Sequence, residues 1–254
     1  MNFKNNSPAY LCCLLVNFFL FGFMKADNEE RICVLGYTKD FVDIIEIVYG
    51  DGFLSSGGLS SVDLMFNGVD LCGKTVLDVG SGLGGIDIYL AQKYSVDITG
   101  VDVEPLVAKR ANEKLAKNSD TLRGKIQFTL EGVSDYSEQF ENDSFDIVFS
   151  KEVILHVPVQ DKVNFYKQAY RVLKKGGQLI ILDWMHRCPD YSKELAEMIE
   201  LDGIPYNLVT KDEYLDILQQ AGFKNIDLLD ISEKTASLCS DDCKRIIELK
   251  DQII

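Results

Sequence analysis

The glycines Gly80, Gly82 and Gly85 and the acids Asp78 and Asp102 form the densest concentration of chemistry in this sequence. They stand in the runs Val76-Leu77-Asp78-Val79-Gly80-Ser81-Gly82-Leu83-Gly84-Gly85 and Ile98-Thr99-Gly100-Val101-Asp102-Val103. An apolar run that ends in glycines and opens into a helical pattern leaves backbone N–H groups bare, and a side chain there would keep a ligand from approaching them. Asp102, at the end of the next apolar run, offers a carboxylate able to accept both hydroxyls of a ribose. Together they predict a nucleoside-binding loop. Gly80, Gly82 and Gly85 also satisfy the GxGxxG spacing of a dinucleotide loop, and Tyr170-x-x-x-Lys174 supplies a reductase-like pair. That pair reads better as structure. Tyr170 lies in an amphipathic run with Val163, Phe165, Tyr166 and Leu173, and Lys174-Lys175-Gly176-Gly177 is a helix stop.

The elements that must position these residues alternate. Strands are predicted at 75–79, 97–102, 126–130, 145–150, 178–183 and 225–231. Helical periodicity falls at 38–48, 86–93, 106–117, 161–173 and 210–221. Strand and helix in alternation give an α/β fold, a Rossmann-like and mostly parallel sheet wrapped by helices. A glycine-rich loop, Gly50–Gly58, precedes the first strand, and a charged helical segment at 190–208 interrupts the rhythm late in the chain. Residues 32–58 and 186–210 are expected to cap the site as part of one domain, 25–254.

Composition excludes several functions. The 254 residues carry 40 acidic and 26 basic side chains, a formal charge of −14. Phosphate backbones need clustered Lys and Arg, so a nucleic-acid partner is excluded on charge. Two histidines and seven irregularly spaced cysteines offer no paired CxxC set, so neither a metal site nor a disulfide framework is predicted; reduced, mostly buried thiols are expected. The stretch 9–24 is almost wholly apolar with Lys4 upstream. At 1.5 Å per residue it is shorter than the ~30 Å hydrocarbon core of a bilayer. It reads as a signal or anchor segment, or as residues upstream of a true start at Met24. The corresponding expectations are a cytoplasmic monomer, or a protein held at a membrane through residues 9–24 alone.

In order and spacing, LDVGSGLGG, GVDVE, FDIVFSKEVILHV and RVLKKGGQLIILDW resemble the successive motifs of class I S-adenosylmethionine-dependent methyltransferases. Tyr37-Thr38, Gly50, Ser55-Ser56-Gly57-Gly58, Ile154-Leu155-His156 and Tyr206-Asn207-Leu208-Val209-Thr210 narrow the resemblance to phosphoethanolamine N-methyltransferases. The resemblance implies S-adenosylmethionine as cofactor, with Ser55, Asp78 and Gly80 around its methionine end and Ser81, Gly82 and Lys151 among its other contacts. It implies Asp102 and Val103 at the ribose and adenine, and Tyr37 and His156 as the catalytic pair. An amine attacking a sulfonium methyl must first lose its proton, and a histidine suits that step.

The sequence departs from the family in three places. Glu200 and Ile204 stand where the family has a tyrosine and an arginine for the substrate phosphate, and Trp184 replaces another tyrosine. Trp184, Glu200 and Tyr206 are therefore the candidate substrate contacts, the first as part of an aromatic cage for a methylated amine. Gly132, followed by Val133, occupies the position of the adenine-contacting acid, with Glu131 or Asp135 within reach of the same role. Only six strands are predicted, whereas the family inserts a seventh between its fifth and sixth; residues 232–254 read as helix instead. The expected activity is methylation of phosphoethanolamine or its methylated forms. Alternatives are another small amine or lipid precursor, or a non-catalytic cofactor-binding relative.

Overall fold

The alternating pattern becomes a five-stranded parallel sheet in the computed structural model, which describes residues 37–130, 138–187, 190–202 and 204–253. In chain order the elements are helices α1 (Lys39–Tyr49) and α2 (Gly58–Met65), strand β1 (Thr75–Val79), α3 (Gly85–Lys93), β2 (Asp97–Asp102) and α4 (Pro105–Asn118). There follow β3 (Ile126–Leu130), β4 (Phe145–Lys151), a 3-10 turn at Ile154–His156, α5 (Val159–Val172), β5 (Leu173–Leu182), α6 (Lys193–Asp202), α7 (Lys211–Ala221) and α8 (Ser232–Ile253). The strand order is β3-β2-β1-β4-β5, every pair parallel. The chain builds outward from β1 to β3, then crosses back to place β4 on the other side of β1. Such a reversal leaves a crevice at the carboxyl ends of β1 and β4, where ligands bind in open α/β sheets.

Both sheet faces are covered. Leu77, Val79 and Val148 meet Phe165, Tyr166, Ala169, Tyr214 and Leu218 from α5 and α7. On the other face Val76, Ile98, Ile147 and Phe149 meet Val62, Phe66, Leu90 and Ala91 from α2, α3 and the chain between them. Each fully buried aliphatic or aromatic side chain contributes roughly 1.5–3 kcal/mol. A third cluster lies over the loop: Phe41, Val42, Ile45 and Val48 of α1 pack on Leu83, Val107 and Ile246. Thr38 starts α1 by accepting from the Phe41 N–H at 3.2 Å.

Two predictions need correction. The strand predicted at 178–183 is longer, beginning at Leu173 directly after α5. Phe145 pairs with Leu173 and Ile147 with Gln178, so the Lys174–Gly177 turn bulges out of the ladder, with Gly176 at φ +81°. The strand predicted at 225–231 does not form. Its alternation is present, with Ile226 packed on the core and Leu229 exposed, but no ladder partner stands beside it among the described residues. An alternating pattern supplies a face; a strand also needs a neighbour to take its N–H and C=O groups.

Cys72 and Cys239 remain thiols, one exposed and one buried. Cys243 is held in a disulfide, against the expectation of reduced cysteines throughout. No helix of the described residues is long and apolar enough to cross a membrane. The apolar stretch 9–24 and the candidates Gly132 and Val133 lie outside the described residues.

Candidate active site

The glycine-rich turn is held by backbone bonds from β2. The N–H groups of Gly80 and Ser81 both donate to the Val101 carbonyl, at 2.8 and 3.0 Å. Gly80 has φ +85°, and a Cβ there would lie 2.2 Å from a Val153 methyl. The glycine is therefore demanded by the protein's own packing, before any ligand enters. Gly85 is equally constrained, because its Cα lies against the Gly52 backbone and its N–H donates to the Gly52 carbonyl at 3.1 Å. This contact fastens the 50–58 loop to the start of α3.

Asp102 closes the turn. One carboxylate oxygen accepts from Gly82 N–H at 2.8 Å and the other from Glu104 N–H at 3.0 Å. Burial raises its pKa, and the N–H groups of Glu104, Gly82 and Val103 offset part of that. Each oxygen retains a lone pair for a ribose hydroxyl. Val103 follows it, half-buried.

Asp78 lies beneath the turn, 1% exposed, and Asp87 of α3 is fully buried. One oxygen of Asp78 and both of Asp87 are sealed from solvent without a well-formed hydrogen bond. Burial drives both pKa values up, Asp87 to about 7. The Asp78 pKa is raised further by the charge of Asp87, by the proton it shares with Asp87, and by Asp102. A carboxyl pair without a cation beneath the turn, Asp78 on β1 and Asp87 on α3, suits the ammonium group of an amino-acid moiety, and a backbone turn closed by Asp102 suits a nucleoside. S-adenosylmethionine has both ends.

Ser55 is fixed from β4. Lys151 is 7% exposed, and its Nζ donates to Ser55 Oγ at 2.5 Å, to the Ser56 carbonyl at 3.1 Å and to Glu152 Oε1 at 3.2 Å. Ser56 Oγ in turn donates to Asp242 of α8 at 2.5 Å. An ion network backs the same loop, with Arg110 on Asp43 at 2.6 Å and Lys114 on Glu46 at 2.8 Å, while Glu46 accepts from Gly52 N–H at 2.8 Å. Tyr37 packs edge-on against Phe41, ring centroids 5.3 Å apart, within the α1 cluster that covers Leu83.

His156 ends the 3-10 turn that follows β4. Its Nδ1 lies 3.0 Å from the Pro205 carbonyl. A carbonyl only accepts, so in the neutral ring Nδ1 carries the proton and Nε2 the lone pair. The ring packs edge-on against Tyr206 at 5.3 Å. The 204–209 segment docks on the turn through its backbone: Asn207 N–H donates to the Leu155 carbonyl at 2.6 Å, and Asn207 Nδ2 to the His156 carbonyl at 3.1 Å.

Below the turn lies a buried polar pair. Lys162, 1% exposed, donates from Nζ to the Ile154 carbonyl. Asp183 accepts from Trp184 N–H at 2.8 Å and is also bonded by the Leu155 backbone N–H. Burial lowers the Lys162 pKa to about 8, against the opposing pull of Asp183. Burial likewise raises Asp183 to about 7, opposed by the Trp184 N–H and by Lys162. Trp184 is half-buried at the end of β5, and Glu200 is exposed on α6, while Ile204 is buried. His186 bridges to Thr210 beside this segment.

The structure thus gathers Ser55, Asp78, Gly80, Ser81, Gly82, Asp102 and Lys151 around the turn after β1. It gathers His156, Tyr206 and Trp184 around the ends of β4 and β5. Gly80 against Val153 joins the two groups, and Glu200 stays on solvent. Sequence reasoning missed Asp87, an acid three residues before Leu90 on the buried face of its helix, and the Lys162–Asp183 pair. It also missed Glu152, which sits four residues before His156 at a strained φ of +55° with its backbone N–H on the Leu182 carbonyl at 2.8 Å. A non-glycine residue held at positive φ beside a candidate base is a signal that only coordinates give.

Comparison with known proteins agrees with this geometry. Residues 72–222 match the family model described as a methyltransferase domain. The chain is 30% identical over 220 residues to a phosphoethanolamine N-methyltransferase of Plasmodium falciparum, covering 86% of this chain and 79% of that protein. It is 36% identical over 171 residues to a tocopherol O-methyltransferase of Arabidopsis thaliana, covering 64% of this chain and 47% of that one. The solved structure of Haemonchus contortus phosphoethanolamine N-methyltransferase 2, in complex with phosphomonomethylethanolamine and S-adenosylhomocysteine, superposes with a TM-score of 0.76 at 25% identity. That match covers 85% of this chain and 49% of the other. The chain therefore spans most of the Plasmodium relative and about half of the other two. With its parallel sheet, its glycine turn closed by Asp102 and its family match, this chain belongs to the class I S-adenosylmethionine-dependent methyltransferases.

Proposed function

We propose that the chain methylates the nitrogen of a small amine, phosphoethanolamine or its methylated forms, with His156 as the proton acceptor. The observation that carries this reading is the bond from His156 Nδ1 to the Pro205 carbonyl, which puts the basic lone pair on Nε2. Bound, S-adenosylmethionine supplies a methyl group on a sulfonium, which only a deprotonated amine can attack in line. The ring takes that proton, Tyr37 closes over the reacting atoms, and Glu152 adds a carboxylate to the same strand end. Ser55, Asp78, Gly80, Ser81, Gly82, Asp102, Val103, Gly132, Val133 and Lys151 are assigned to the cofactor, Trp184, Glu200 and Tyr206 to the substrate. Residues 32–58 and 186–210 cap the site. Positioning of this kind supplies several kcal/mol of the rate. The reading places the protein in the cytoplasm as a monomer and assigns any membrane contact to residues 9–24.

The test is transfer of isotopically labelled methyl from S-adenosylmethionine to phosphoethanolamine and, in parallel, to ethanolamine. Labelled phosphomonomethylethanolamine is expected, and His156→Ala should remove it while cofactor affinity stays within a few-fold. Cofactor binding without transfer to phosphoethanolamine would contradict the reading. A second reading, an amine without a phosphate, is favoured by the buried Ile204 and the exposed Glu200, neither of which offers a phosphate a positive charge. In that case ethanolamine is the better acceptor.

A further inference from the structure

Alternation along β1 puts Asp78 on the same sheet face as Val76, the face covered by α3. On α3, Asp87 shares a helical face with Leu90 and Ala91, which pack on that same sheet face. Two acids from different elements thus meet in the interior, beneath the glycine turn, and three of their oxygens have neither solvent nor a well-formed hydrogen bond. The groups around them do not neutralise them. Asp102 at the end of β2 adds a third acid, already engaged by Gly82 and Glu104 N–H groups. From β4, Ser150 donates to the Val79 carbonyl, and Lys151 is directed to Ser55, Ser56 and Glu152.

We infer that Asp78 and Asp87 form a one-proton carboxyl pair that receives the amino-acid ammonium of the cofactor, and that this proton leaves when the cofactor binds. Asp87 is then a cofactor-positioning residue held behind Asp78. Two carboxylates sealed together without a cation cannot both stay ionised, so the empty pair retains one proton; its raised pKa values agree. When the ammonium arrives, the carboxyl O–H bond breaks, the proton passes to the buffer, and the ammonium donates to Asp78 and balances the charge of the pair, with Asp87 behind it. The ligand keeps its own protons. The inference rests on cofactor binding and not on the identity of the methyl acceptor.

The experiment is calorimetric titration of the full chain with S-adenosylhomocysteine at pH 6–7, in phosphate and in Tris, whose ionisation enthalpies differ widely. The difference in heat counts the protons released. About half to one proton per ligand is expected, with affinity weakening by up to about tenfold per pH unit below the titration of the pair. In Asp87→Asn the release should fall clearly below that of wild type and the pH dependence of affinity between pH 5.5 and 8 should become shallower, because Asp78 then keeps only the part of its raised pKa that burial supplies. 5′-Methylthioadenosine, which lacks the amino-acid end, should bind wild type without release, an arm that decides the matter even where the variant fails to fold. Equal heats in both buffers with wild type, or equal release with both ligands, would overturn the pair. Failure of both ligands to bind would contradict the cofactor assignment itself, a separate outcome.

Discussion

The two halves of the crevice are built differently. On the β1–β2–β3 side, the turn residues lie within 25 positions, Asp78 to Asp102, and are held by backbone bonds between neighbouring strands, with Ser55 and Lys151 brought to them from the 50–58 loop and β4. On the β4–β5 side, His156 is held from a distance, by Pro205 at 49 positions and Asn207 at 51. Its turn also rests on two buried groups, Lys162 of α5 on the Ile154 carbonyl and Asp183, after β5, on the Leu155 N–H. A contiguous turn carries a rigid cofactor site, whereas a site assembled from three remote segments depends on all of them. Substitutions on the first side should therefore change cofactor affinity, and those on the second should change turnover.

The largest break should come at Gly80. Gly80→Ala combines an unfavourable φ, costing on the order of 1–3 kcal/mol, with a Cβ 2.2 Å from Val153. Cofactor affinity should fall about a hundredfold or more, measured by calorimetry, with turnover lost in proportion. Lys162→Met should come next. It leaves the buried Ile154 carbonyl without its donor and should destabilise the fold by roughly 1–3 kcal/mol in denaturant titration. Turnover should fall about tenfold while cofactor affinity is kept; equal loss of both would erase the distinction between the halves. The smaller Asn207→Ala removes one side-chain bond, worth about 1 kcal/mol, and should lower turnover by a few-fold with cofactor affinity unchanged.

The pH dependence of stability sharpens the comparison from both sides. The carboxyl pKa values of Asp78, Asp87 and Asp183 are raised in the fold, the last two to about 7. The native state then binds protons that the unfolded chain has released, so stability falls as pH rises from about 4 through 7. Without cofactor, the melting temperature at pH 5.5 should exceed that at pH 8 by several degrees. Saturating S-adenosylhomocysteine should reduce the difference by relieving the Asp78–Asp87 contribution, leaving that of Asp183.

This contrast also explains what the sequence made legible. The strand from 75 to 79, its glycines and Asp102 announce themselves because apolar alternation, turn chemistry and the acid follow one another along the chain. The strand predicted at 225–231 does not form, because alternation specifies a face and not the neighbour that a ladder needs. Asp87 was invisible, since an acid on an amphipathic helix is ordinarily on the solvent side and only the coordinates turn it inward. The bonds to Ile154 and Leu155 that support His156 come from Lys162, Asp183 and Asn207, and no spacing rule joins those positions. Glu200 shows the reverse. Expected at the substrate because it stands where the family has a tyrosine, it lies on an exposed helical face.

The central claim, that the two halves divide binding from proton transfer, is tested most directly in His156→Ala. Affinity for S-adenosylhomocysteine and single-turnover transfer of labelled methyl to phosphoethanolamine should be measured on the same preparation. Affinity is expected within a few-fold of wild type and transfer lowered by about 10²–10⁴-fold, the range of a lost general base. Transfer at the wild-type rate, or loss of affinity in step with transfer, would contradict the claim.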